Sequence, residues 1–284
     1  MSDSKSSKPF LESPRHPLVQ ALKQLKEKPA ERRRQGRLLI EGRRLIQDAL
    51  DAGVQVDVIL AGEQAAGDPA TAELLERARS AGSRVYACGP RVIRALADTE
   101  HPQGIVAAVA AREPALPAPE QLEPPVVLVD GVQDPGNVGT IVRTAAAAGV
   151  GAVVLDLHSA DLWNPKVVRA SAGAVFRVTA VRLERPGALE ELAGRLRRLG
   201  WAIMGLDPRG GRRYFDEALT GRVALVVGSE GWGLSEAMEK QCTHLLRIPL
   251  EAGVESLNVA TATAIVLFEA ARQRARALEN GGRL

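Results

Sequence analysis

Cysteine is nearly absent from this sequence. Its 284 residues include two, Cys88 and Cys242, far apart and without CxxC spacing. Neither a disulfide framework nor a structural zinc site is therefore expected. Histidine is sparse too: His16, His101, His158 and His244 show no ligand-like spacing, and no metal is expected. Aromatic residues make up 3% of the chain, which argues against an RNA site built mainly on stacked rings. Trp163, Trp201 and Trp232 read as packing residues. No run approaches the roughly 18 apolar residues of a membrane helix. The opening MSDSKSSKPF lacks the apolar centre of a signal peptide, so the expected location is cytoplasmic.

Length suits two domains, and 45% hydrophobic with 25% charged residues describes an ordinary globular chain. The net charge of +3 demands no nucleic acid, but its distribution is uneven. Residues 1–44 hold twelve Lys and Arg against five acids, an excess that attracts phosphate or simply solvates a helix face.

Residues 1–12 read as a flexible tail. Helical spacing of apolar residues marks 17–25 and 41–52, a buried strand marks 56–61, and a helix marks 69–81. Strands at 84–87 and 104–110 complete a small α/β domain over 13–111. Five prolines between 112 and 125 read as a semi-rigid linker. Beyond it, continuous apolar runs at 126–129, 152–155, 202–206, 223–227 and 245–248 alternate with helical stretches at 139–148, 164–170, 188–198, 235–241 and 257–278. That rhythm predicts a parallel sheet covered on both faces, whose ligands bind at the strands' C-terminal ends. This second domain spans 126–275, with a C-terminal tail at 276–284.

Three polar loops follow such strands. In the first, Asp134-Pro135-Gly136-Asn137 is a turn leading into a helix. Asn137 could cap that helix, leaving free amides for an anion, and Arg143 follows one and two-thirds turns later, where a core helix has little use for arginine; the alternative is a solvated arginine beside a capping asparagine. In the second, Gly228-Ser229-Glu230-Gly231-Trp232-Gly233-Leu234 lets backbone approach a flat cofactor, or merely reverses the chain. Its spacing is not GxGxxG, and it follows a late strand, so a nicotinamide site is weakly supported. In the third, Ile248-Pro249-Leu250 ends a strand and Ser256-Leu257-Asn258 opens a helix. Ser256 is a candidate N-cap. Two polar groups around Leu257 would suit a ligand with an aromatic face and a polar tail, unless they serve only as caps.

The ordered set, Asn-x5-Arg then GSExxGL then IPL and SLNV, resembles the SpoU/TrmH (SPOUT) family of RNA ribose 2′-O-methyltransferases over roughly 126–275. DLWNPKVVRASAGAVF, from Asp161 to Phe176, is similar to that family's intervening segment. The N-terminal part looks like the substrate-binding domain, ribosomal-protein-like and α/β, that many members carry. The resemblance implies a mostly parallel C-terminal sheet with a deep trefoil knot, S-adenosylmethionine as cofactor, RNA as partner and a homodimer. By the same resemblance, Asn137, Arg143, Glu230, Ser256 and Asn258 would form the catalytic cluster. Gly228, Ile248 and Leu257, with Ser229, Gly233 and Leu250, would hold the cofactor. Arg32, Arg33, Arg37, Arg43, Lys166 and Arg169 are the expected RNA contacts. Large-subunit ribosomal RNA is the expected target. A tRNA enzyme, an antibiotic-resistance ribosomal RNA methylase and a non-catalytic RNA-binding module remain alternatives.

Overall fold

The computed structural model describes residues 10–99, 101–111 and 114–281. The chain divides into two compact units, 1–112 and 113–284.

The first unit is built on five strands: β1 (Phe10–Leu11), β2 (Arg37–Glu41), β3 (Val56–Gly62), β4 (Arg84–Cys88) and β5 (Ile105–Ala110). They lie in the order β1-β4-β3-β5-β2, with β5 antiparallel to both neighbours and the other pairings parallel. Six helices accompany them: α1 (Pro17–Glu27), α2 (Pro29–Gln35), α3 (Arg43–Asp51), α4 (Glu63–Ala66), α5 (Pro69–Ser80) and α6 (Pro90–Leu96). Val19, Leu22 and Leu25 of α1 recur at helical spacing and pack into one core with Leu39, Leu60, Val92 and Leu96.

Two expectations need correction here. Phe10 and Leu11, placed in the tail, pair with Ala87 and Cys88, and Leu11 is buried; residues 1–9 lie outside the described residues. The helix expected from 41 begins at Arg43 instead, because Leu38, Leu39 and Ile40 form a buried strand that ends at Glu41.

The second unit carries a seven-stranded sheet, parallel throughout. Its elements in chain order are β6 (Val126–Asp130), α7 (Pro135–Ala147), β7 (Ala152–Leu155), α8 (Pro165–Ala170), β8 (Thr179–Arg182), α9 (Ala188–Arg198), β9 (Ala202–Leu206), β10 (Arg212–Arg213), β11 (Val223–Gly228), α10 (Glu236–Glu239), β12 (His244–Arg247) and α11 (Val259–Glu279). The order β10-β12-β9-β11-β6-β7-β8 sets β11 between β6 and β9. Val126–Val129, Ala152–Leu155 and Val223–Val227 are wholly buried, as a sheet covered on both faces requires. Strands β8 and β10 escaped the sequence reading.

Part of the proline-rich segment adheres to this unit: Leu122 is buried in its core and Leu116 packs beside it. Residues 276–279, expected in a tail, continue α11, whereas 282–284 lie outside the described residues.

Helices α7 and α8 meet at Gly139. A Cβ there would stand 2.5 Å from both the Ala170 Cβ and the Val167 carbonyl oxygen. In an open helix Gly→Ala gains about 1 kcal/mol of propensity. Here the clash falls on backbone, which no rotamer change relieves. Gly139→Ala is expected to destabilise the C-terminal unit by about 1–3 kcal/mol, measured by urea unfolding followed by circular dichroism; a rise in stability would contradict this packing.

Candidate active site

The ends of β6, β11, β9 and β12 converge on one edge of the sheet, and Gly228 sits opposite Asp130 in the β11–β6 register. Burial pushes the Asp130 carboxyl above its ordinary value. Its Oδ2 accepts the Ser235 backbone N–H at 2.6 Å, so the end of β6 anchors the exit of the second loop. That loop closes as a tight hairpin. Ser229 and Gly233 exchange backbone hydrogen bonds at 3.0 and 2.9 Å, and Gly233 takes a left-handed φ of 70°.

The first loop resolves a question of capping. Asp134, not Asn137, is the N-cap of α7: its Oδ1 accepts the Asn137 backbone N–H at 2.8 Å. The carboxamide of Asn137 is thereby released. At α11 the cap is Asn258 rather than Ser256, and its Oδ1 accepts from Ala260 and Thr261 N–H at 3.0 and 3.2 Å.

With its oxygen committed to the helix, Asn258 can only donate, and its Nδ2 reaches Asn137 Oδ1 at 2.9 Å. Asn137 then has only its Nδ2 left, which donates to Glu230 Oε1. The chain Asn258→Asn137→Glu230 thus runs in one direction, fixed at one end by a helix cap and at the other by a carboxylate. It ties the loops after β6, β11 and β12 together.

Beside this chain lies a cavity of about 650 Å³. Gly228, Ser229, Gly233, Ile248, Leu250 and Leu257 all line it, together with Glu230, Ser256 and Asn258. Arg143 does not. It is exposed on α7, with neither a hydrogen bond nor an ion pair among the described residues. Lys166, Arg169, Arg33 and Arg43 are also exposed.

Arg32 departs from expectation. It is 5% exposed, and its Nη1 donates to the Leu25 and Lys26 carbonyls at 3.2 Å each. It therefore closes the end of α1 and offers nothing to RNA. Arg37 is half-buried and paired with Asp57.

Asp207 and Arg209 line the cavity and were missed by sequence reasoning. Asp207 follows β9, and the strand-end rule that singled out the other loops would have found it. Its side chain is 3% exposed. It accepts the Arg209 N–H at 2.6 Å and the guanidinium at 2.8 and 3.0 Å. The guanidinium holds the Asp207 carboxyl below the usual carboxylate range.

The fold and site thus define an α/β domain whose strand-end loops enclose a mixed apolar and polar cavity. Comparisons with known proteins agree. The model of the SpoU rRNA methylase family matches residues 124–268, and that of an MRM3-like substrate-binding domain matches 16–107. The chain is 34% identical over 259 residues to the 23S rRNA (guanosine(2553)-2'-O)-methyltransferase RlmP of Bacillus subtilis, covering 91% of this chain and 97% of that one. It is also 34% identical to the 23S rRNA (uridine(2479)-2'-O)-methyltransferase of Streptomyces viridochromogenes, over 86% of this chain and 85% of that one. Among solved structures it resembles the SpoU methyltransferase AviRb from S. viridochromogenes in complex with AdoMet. There the TM-score is 0.79 at 31% identity, over 95% of this chain and 100% of that one. The chain belongs to the SpoU rRNA methylase family and is an S-adenosylmethionine-dependent RNA 2′-O-ribose methyltransferase.

The cavity suits that cofactor. Val227, Ile248, Leu250 and Leu257 offer apolar surface for an adenine, while Asp207, Asn258 and the 228–233 backbone offer polar partners for hydroxyls and an amino-acid tail. Gly228 leaves no room for a side chain: a Cβ would lie 2.2 Å from the Gly233 carbonyl oxygen. Gly228→Ala must therefore push the hairpin apart. It is expected to weaken S-adenosylmethionine binding by about 10-fold or more, read by titration calorimetry on a protein whose circular dichroism is unchanged. Wild-type affinity would show the hairpin to be irrelevant to the cofactor.

Proposed function

We propose that this chain methylates a ribose 2′-hydroxyl in large-subunit ribosomal RNA, with Asn137, Arg143, Glu230, Ser256 and Asn258 as its catalytic cluster. The observation that carries the reading is the directed chain Asn258→Asn137→Glu230 beside the cavity. Support for the target comes from the relatives named for 23S rRNA methylation and from the match to a substrate-binding domain in the N-terminal unit. Arg33 and Arg43 on that unit, and Lys166 and Arg169 on the other, are exposed and suited to RNA phosphates.

S-adenosylmethionine, held by the residues lining the cavity, would supply a methyl carbon activated by its sulfonium: the ribose 2′-oxygen would attack that carbon, the carbon–sulfur electron pair would leave with the thioether of S-adenosylhomocysteine, and the hydroxyl proton would pass to water. The protein's task is alignment and management of one proton. Glu230, held by the Asn137 amide, keeps a fixed carboxylate at the cavity edge. Ser256 and Asn258 present a hydroxyl and an amide beside it.

Guanidinium is a poor proton acceptor. Arg143 therefore clamps the phosphate next to the target ribose and, through its charge, eases loss of the 2′-proton. The chain works as a homodimer, in which a second copy brings Arg143 to a cavity that it does not reach in its own chain. The loops after β11 and β12 thread as the trefoil knot, and the enzyme acts in the cytoplasm, where ribosomal RNA is available.

The test is transfer of labelled methyl from S-adenosylmethionine to unmethylated large-subunit RNA, giving a site that resists alkaline cleavage. Failure to label that RNA would overturn the assigned target. Arg143→Lys keeps the charge and loses the planar fork. It is expected to lower kcat by about 10-fold or more with cofactor affinity unchanged. Near-normal turnover would exclude the bidentate clamp.

A further inference from the structure

Trp232 contradicts the reading of all three tryptophans as packing residues. Trp201 is 3% exposed in the core of the C-terminal unit, and Trp163 stacks on Phe176 with ring centroids 6.3 Å apart. Trp232, by contrast, is 92% exposed. A chain with four Phe, three Trp and two Tyr has little aromatic surface, and here it turns a whole indole to solvent. Scattered exposed apolar residues need no explanation; an indole at the rim of a binding cavity does.

The backbone that carries the ring is fixed. The Trp232 N–H donates to Ser229 Oγ at 3.2 Å within the Ser229–Gly233 hairpin, and the residue lines the same cavity as the cofactor-site residues. Two positions earlier, Glu230 is locked to Asn137. A carboxylate so close disfavours a phosphate against the indole, whereas a neutral base is acceptable. Arg209, whose side chain is 80% exposed and paired with Asp207, lines the same cavity and turns the outer edge of its guanidinium to the backbone of a strand. An aromatic face and a guanidinium lining one cavity are groups with which proteins hold unpaired nucleotides.

We propose that Trp232 is a stacking platform for an unpaired nucleobase of the RNA substrate, adjoining the ribose that receives the methyl group. The inference rests on the RNA-methylating reading above and deepens it: the target lies in a loop or splayed segment, because a paired base has no free face to offer. Trp232 thereby selects substrate by the accessibility of a base.

The experiment uses the full chain and an unmethylated large-subunit RNA transcript, comparing wild type with Trp232→Ala and Trp232→Phe. Trp232→Ala is expected to raise the KM for RNA about 10-fold, equivalent to about 1.4 kcal/mol. Cofactor affinity by calorimetry and the unfolding midpoint should not change. Trp232→Phe, which keeps an aromatic face, should stay within about 3-fold of wild type, since stacking tolerates a change of ring. RNA should quench wild-type tryptophan emission, and the Phe variant should lose that quenching while Trp163 and Trp201 still emit.

A wild-type KM for RNA in Trp232→Ala overturns the inference. So does a loss confined to cofactor affinity, which would make the indole a cover for the cofactor. A change in sedimenting mass would make it a contact between copies and overturn it as well. A wild-type chain that binds S-adenosylmethionine yet methylates no RNA overturns the underlying function too. That control separates the two failures, since the inference alone fails only when wild type is active.

Discussion

A carboxamide donates through its nitrogen and accepts through its oxygen, and the site depends on two of them arranged in sequence. Asn258 gives its oxygen to the first turn of α11, which leaves its nitrogen for Asn137, which in turn leaves the nitrogen of Asn137 for Glu230. None of the three could be assigned its orientation alone. The chain acquires a direction only because Asp134 takes over the capping of α7 and releases Asn137 from that duty. Local helix chemistry in two places therefore sets the polarity of a contact that spans three loops.

The parallel sheet explains why those loops meet at all. With β11 between β6 and β9, and β12 on the far side of β9, four strand ends open on the same edge. Two of them end in buried carboxylates with opposite fates. Asp130, dried by burial and met by one backbone N–H, is pushed toward its protonated form. Asp207, gripped by a guanidinium, is held ionised. One braces a loop from within; the other keeps a charge facing the cavity. Such pairs show how the immediate partner, more than depth alone, decides the state of a carboxyl group.

Much of this was readable in advance, because strands buried on both faces leave unbroken apolar runs and their ends are marked by glycine, proline and asparagine. The loops lining the cavity came from that reading and their site residues from the family resemblance, whereas Asp207, Pro208, Arg209, Val259 and Ala262 were not foreseen, although the first three follow the strand β9 that had been placed. Where it failed, the deciding fact was three-dimensional. Ser256 and Asn258 can both cap a helix, and only the true start of α11 chooses between them. Arg32 belongs to a basic run whose neighbours are exposed, and nothing in the run says that one guanidinium turns inward to the carbonyls of α1. Strand β2 hides among arginines, its three buried residues too few to set a period. Trp232 looked like a packing residue because tryptophan usually is one.

Asn258 serves two masters, the first turn of a 21-residue helix and the contact with Asn137. An aspartate there would satisfy the helix equally well but would have no hydrogen to offer. Asn137 would have to rotate its amide to face the new acid, turning its oxygen on Glu230, so that two acceptors confronted each other. A replacement of a single NH₂ by O⁻ would thus be invisible to the folding of α11 and yet reverse the contact with Asn137 and break the one beyond it. What the position demands is the direction of its hydrogen bonds, a property that neither size nor helix preference records.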